Sequence, residues 1–151
     1  MSRFTFRLEQ VRALREQAER QAKEALARQL AVVATHESAV AIISDTIEAA
    51  RSQGGAESGP LDPRDLIARQ HFLDRLERDR QAAELRLSQE EREAEARRGL
   101  LAKAAQDLEA LERAKQRARE EHRKQEQREA DEQLGEVALA AFRRAGQGGA
   151  A

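Results

Sequence analysis

Ser52-Gln53-Gly54-Gly55-Ala56-Glu57-Ser58-Gly59-Pro60-Leu61-Asp62 is the stretch on which the fold turns. Three glycines and Pro60 fall within it, Pro63 follows at once, and the next glycine cluster is Gly146, Gly148 and Gly149 at the far end. Upstream, Phe4 to Arg51 reads as one helical block; downstream, Pro63 to Arg144 reads as a second. Gly54 or Gly55 is a natural stop, because glycine enters the left-handed conformation at little cost. Asp62-Pro63-Arg64-Asp65 is a helix start. Asp62 can accept from free N–H groups, proline suits the first helical position, and Asp65 favours the positive end of the dipole. Gly99 interrupts the second block at a cost of roughly 1 kcal/mol against alanine, which a long helix survives. A connection this short turns the second helix back along the first. The expected fold is all-α, an antiparallel two-helix coiled-coil hairpin over residues 1–151. Its parts are a helix at 4–51, a loop at 52–62, a longer helix at 63–144 and a disordered tail at 145–151.

The periodicity supports this. Steps of three and four from Leu73 visit Leu76, Arg80, Ala83, Leu87, Glu90, Ala94, Arg97, Leu101, Ala104, Leu108, Leu111, Lys115 and Ala118. Ten of those fourteen are apolar, which marks a heptad seam. The first block offers Phe4, Leu8, Val11, Ala18, Ala22, Leu26, Leu30, Val33, Val40, Ile43, Ile47 and Ala50. Its steps around Ala22, Leu26 and Leu30 are four and four, a stutter that locally unwinds a supercoil.

A loop centred near residue 57 sets Phe4 opposite about residue 110 and leaves about 30 residues of the second helix overhanging, roughly 45 Å at 1.5 Å per residue. The seam loses its apolar character where that arithmetic ends it: after Leu111 it reads Lys115, Ala118, His122, Gln125, Glu129, Glu132. From Glu112 to Gln133, fourteen of 22 residues are charged with both signs interleaved, and pairs such as Glu120/Lys124 can hold such a helix in water. Apolar residues then return at Leu134, Val137, Ala138, Ala141 and Phe142, on one helical face. Nothing in the hairpin can reach them, so Leu134, Val137, Ala138 and Phe142 are candidate docking residues.

Composition excludes several classes. Charged residues are 36% and aromatics 3% of the chain, too few large side chains for an enzyme core of ordinary density. Lys and Arg number 27 against 28 Asp and Glu, a balance that argues against nucleic acid as partner and against a polybasic membrane anchor. There is no cysteine, and His36, His71 and His122 lack a second histidine at helical spacing, so no metal set is expected. Gly54-Gly55 is not followed by the Gly-Lys-Ser/Thr of a phosphate loop, and a two-helix hairpin has no cleft that excludes water. The expectation is a non-enzyme without cofactor. The opening MSRFTFRLEQ is broken by charge at once, unlike a secretion signal. The uncharged run Gln29 to His36 is far below the ~20 residues a spanning helix needs, so no membrane insertion and a cytoplasmic address are expected.

Phe4-x-Phe6-Arg7-Leu8-x-x-Val11-x-x-Leu14-Arg15 at one end, and Leu108-x-x-Leu111-Glu112 with Glu126-Gln127-x-x-x-Asp131-Glu132 at the other, resemble the FliJ family across the whole chain. That family comprises small stalk proteins of the flagellar type III export apparatus. The resemblance implies an antiparallel coiled coil similar to the γ stalk of rotary ATPases. It would sit in the hexameric export ATPase FliI, promote its assembly, and contact the export gate protein FlhA and the export chaperones. Such a protein hydrolyses nothing and stays peripheral at the cytoplasmic face of the inner membrane. The resemblance places Phe4, Phe6, Leu8, Val11, Asp131 and Glu132 at the ATPase end, and a gate contact nearer the loop, where Phe72, Leu73 and Leu76 are the candidates. The equivalent stalk of a virulence-type secretion system, and a generic coiled-coil scaffold or chaperone, remain alternative readings.

Overall fold

A computed structural model describes residues 3–54, 59–60 and 62–147. The chain is all-α, with two antiparallel helices and, among the described residues, no strand. α1 spans Glu9–Gln53 and α2 spans Pro63–Gln147, 45 and 85 residues. Packing divides the chain into two units, Met1–Gln17 with Ala105–Ala151 and Ala18–Ala104, and each helix contributes to both.

In the unit Ala18–Ala104, the start of α2 is capped as its residues require. Asp62 Oδ1 accepts from the Arg64 N–H at 2.9 Å, and the Asp62 carbonyl accepts from Asp65 and Leu66 at 3.0 and 3.2 Å. α1 ends at Gln53, with Gly54 as the stop, but not by the expected conformation. Gly54 does not take the left-handed conformation. Arg69 of α2 instead donates through Nη2 to the carbonyls of Ala50 at 2.8 Å and Arg51 at 3.1 Å, closing two orphan acceptors. Its guanidinium lies where a Cβ on Gly54 would stand, so a larger residue there would have to displace this flexible side chain. Gly55, the other expected stop, lies outside the described residues, as do tail residues 148–151. Ala145, Gly146 and Gln147, expected in that tail, are helical.

The α2 seam is as expected: every position within this unit, from Leu73 to Ala104, is buried or half-buried. The α1 seam differs at Ala18, which is exposed, and at one inner layer. Gln29 is 6% exposed while Leu30 is 39% exposed. With Gln29 in place, the covered positions Ala22, Leu26, Gln29, Val33, His36, Val40, Ile43, Ile47 and Ala50 alternate steps of four and three without a stutter. An unbroken heptad on α2 calls for an unbroken heptad opposite. The amide is not left wanting. Gln29 Nε2 donates to the Glu90 carbonyl at 3.1 Å and to Glu90 Oε2 at 2.6 Å, and Arg97 donates to Gln29 Oε1. A satisfied buried amide costs little and pins register, as polar seam residues do in coiled coils.

The core is thin. Among the described residues, Val33, Ile47 and Ala94 are the hydrophobic side chains that are buried. The middle of α1 contains an 18-residue window of mean hydropathy 1.3, apolar enough by length and composition to cross a bilayer. The stretch is not one uncharged run, because Glu37 and Asp45 interrupt the apolar residues. Val33 and Ile47 of this stretch are spent in the seam with α2.

Gly99 lies within α2 with open space where its Cβ would be. Gly99→Ala is therefore expected to stabilise the protein by about 1 kcal/mol, seen as a higher midpoint in thermal circular dichroism. An unchanged or lower midpoint would contradict the open environment.

Candidate docking end

The unit formed by Met1–Gln17 and Ala105–Ala151 carries the candidate site. Residues 3–6 are not helical and α1 starts at Glu9, not at Phe4. In Arg3-Phe4-Thr5-Phe6-Arg7 the two phenylalanines are half-buried while Arg3, Thr5 and Arg7 are exposed. That alternation has period two, the pattern of extended backbone. The Glu9 N–H then bonds the Phe6 carbonyl at 3.1 Å, and the Arg12 N–H bonds the Leu8 carbonyl at 2.9 Å, opening the helix.

The extended start also changes the pairing. Phe4 stands edge-on to His122, ring centroids 5.5 Å apart, rather than opposite residue 110. Extended chain advances about 3.3 Å per residue against 1.5 Å for helix, so four residues reach more than twice as far. The overhang is accordingly shorter than expected. Glu112 and Lys115, expected beyond the first helix, are paired with it. Seam positions Leu108, Leu111, Lys115, Ala118 and His122 are half-buried; Gln125, Glu129 and Glu132 are exposed.

Between the helices of this unit the seam on α1 is ionic. Leu8 and Val11, expected there, are exposed, as is Ala18 just beyond it, and Glu9, Arg12 and Glu16 are half-buried instead. Arg12 reaches Glu9 Oε1 at 2.7 Å, Glu16 at 3.4 Å and Glu112 at 2.8 Å. Lys115 Nζ holds Glu9 Oε2 at 2.8 Å, and Arg15 meets Asp107 at 3.3 Å. The Arg12 guanidinium, with Lys115 second, holds the Glu9 carboxyl down at about 2. Glu9 and then Glu112 keep the Arg12 guanidinium more firmly protonated than usual. An open cleft of about 730 Å³ lies here between Arg3–Arg7, Glu9, Gln10 and Lys115.

Because the folded pKa of Glu9 is depressed, its ionised form favours the folded state. That contribution is present above pH ~4.5 and is lost as pH falls toward about 2. Phe4 ring resonances are expected to move to random-coil positions across this window, and Glu9→Gln to loosen Phe4 already at neutral pH. Ring shifts that stay constant from pH 6 to 2 would show that the network does not hold the N-terminal segment.

The sequence-derived candidates divide clearly. Phe4 is half-buried against His122 of α2 and Phe6 is half-buried, whereas Leu8 and Val11 are exposed. Asp131, Glu132 and Ala138 are exposed. Leu134, Val137 and Phe142 are 68%, 67% and 79% exposed, and Leu139, which lies off the apolar face they share in the sequence, is 59% exposed. The two sets are not brought together. Asp131 begins nine residues after His122, about 13 Å along the helix. In the unit Ala18–Ala104, Leu73 and Leu76 are half-buried in the seam, Phe72 is exposed, and so are the neighbouring Leu66 and Ile67, which the periodicity did not single out. Glu120 accepts from Gln116 at 3.1 Å, in place of the expected pair with Lys124. Among the described residues no group of histidine and carboxylate side chains is placed to hold a metal ion.

One family profile, described as Flagellar FliJ protein, matches residues 4–147. No curated protein and no solved structure matches the chain. The match covers both helices and the N-terminal segment from Phe4: the chain belongs to the FliJ family and takes part in flagellar protein export.

Proposed function

We propose that this chain is a stalk of the export apparatus. It enters the centre of the hexameric export ATPase, FliI in this family, promotes its assembly, and couples it to the export gate protein FlhA and to substrate-loaded export chaperones. It performs no hydrolysis itself and works in the cytoplasm against the inner face of the inner membrane. The observation carrying this reading is the end of α2. Four large apolar side chains between Leu134 and Phe142 are more than half exposed, on a stretch of α2 that is exposed throughout from Gln127 to Leu139. Apolar surface of that kind, held out by a charged stretch, is what a docking element requires. Leu8 and Val11 add a second apolar strip in the same unit. On the loop side, exposed Phe72 offers the gate contact; Leu73 and Leu76 support it from the seam.

The test is reconstitution. The full chain, added to the purified hexameric export ATPase of the same cell, is expected to co-elute with it and raise its turnover. Separate elution together with unchanged turnover ends this reading.

A further inference from the structure

The exposed part of α2 is not evenly charged. From Arg113 to Arg128 it carries seven bases (Arg113, Lys115, Arg117, Arg119, Arg123, Lys124, Arg128) against three acids (Glu120, Glu121, Glu126). From Glu129 to Glu136 it carries four acids (Glu129, Asp131, Glu132, Glu136) and no base. A chain that is nearly neutral overall thus places a basic band and an acidic band end to end. Arg117, Lys124 and Arg128 lie at i, i+7 and i+11, one face of the helix, and they and the four acids make no ion pair with any other described residue.

Two magnitudes decide what this means. The band centres are about twelve residues apart, roughly 18 Å along a helix. The screening length at physiological salt is about 8 Å. A partner therefore meets each band separately, and a surface of one sign would be attracted by one band and repelled by the other. The direction of approach is constrained as well. Steps of three and four onward from His122 reach Gln125, Glu129, Glu132 and Glu136, so the side that continues the hairpin seam is acidic. Leu134 comes two residues after Glu132, about 200° round the helix. A helix lying where α1 would continue meets carboxylates as far as Glu136 and Leu139 just beyond them, while Leu134 lies on the opposite side.

We propose that this end of α2 is received by a protein surface with two oppositely charged zones. A basic zone faces Glu129, Asp131, Glu132 and Glu136, and an acidic zone about 14 Å away faces Arg117, Lys124 and Arg128. Together they fix how far the helix enters while the apolar strip packs beyond. This rests on the reading above, in which the partner is the export ATPase, and it adds the charge pattern of the receiving surface.

The experiment uses the full chain, the purified hexameric export ATPase and three variants. The first reverses the acids (Glu129→Lys, Asp131→Lys, Glu132→Lys, Glu136→Lys), the second the bases (Arg117→Glu, Lys124→Glu, Arg128→Glu), and the third combines both. Circular dichroism confirms that each remains helical. At low salt each single set is expected to weaken binding by roughly tenfold or more, and the combined variant to stay weak although its net charge is nearly native. Single sets that bind like the unmodified chain overturn the proposal. So does recovery in the combined variant, which would show that net charge alone matters. A salt-sensitive dimer of the chain by light scattering would assign the zones to a second copy instead, and overturns it too. If the unmodified chain does not bind the ATPase at all, the functional reading itself has failed and the proposal falls with it.

Discussion

Cutting the chain after Gln127 is expected to abolish stimulation of the export ATPase while leaving the paired helices folded. The last links between the N-terminal segment and α2 are the Phe4–His122 ring contact and the Glu9–Lys115 ion pair, both of which the truncation keeps. From Gln127 to Leu139 every residue is exposed, so almost no buried surface is lost. Removing exposed residues away from structural features changes stability by about 0.5 kcal/mol or less. The thermal midpoint should therefore hold, and helical signal should fall only by the share of the removed residues. Turnover of the ATPase should drop to its unstimulated level. A truncated chain that stimulates as well as the full chain would place the docking surface elsewhere, with exposed Leu8, Val11 and Leu14 as the next strip to test.

The largest effect on stability is expected at Ile47. It is 4% exposed, one of three buried hydrophobic side chains among the described residues. Ile47→Asp removes the transfer free energy of a buried isoleucine, about 2 to 3 kcal/mol. It also sets a carboxylate in the seam without a partner, at a further cost of several kcal/mol. Domains of this size have about 5 to 15 kcal/mol in all, so most of the helical signal at 222 nm should be gone at 37 °C. Ile42→Asp is the control. Ile42 is 66% exposed on the same helix, and the change should shift stability by about 0.5 kcal/mol or less. Equal melting of the two variants would refute the division between seam and outer face.

The two helices, their direction and the α2 seam are legible in the amino-acid order because they rest on local rules. Asp62-Pro63 caps through backbone N–H groups a few residues away, and a heptad repeat has only one side on which to be buried. The α1 seam is harder to read. At one layer the apolar candidate is Leu30 and the occupied position is Gln29; the choice depends on Glu90 and Arg97, some sixty residues on, which supply the partners that make an amide acceptable there. The N-terminal start misleads for a related reason. Phe4 and Leu8 lie four apart and Phe4 and Phe6 two apart, so helix and extended chain both fit, and only contact with His122 favours the second.

What the order of residues determined alone is therefore whatever spacing can encode: an all-α chain, one break, a second helix longer than the first, and apolar residues near its end. Tertiary structure decided what depends on distant pairs. It set the extent of the overhang, because extended backbone covers more distance per residue than helix. It chose ions over Leu8 and Val11 for the first turns of the seam, because Glu112 and Lys115 stand across from Glu9 and Arg12. It left those two side chains, with Leu134 to Phe142, facing outward.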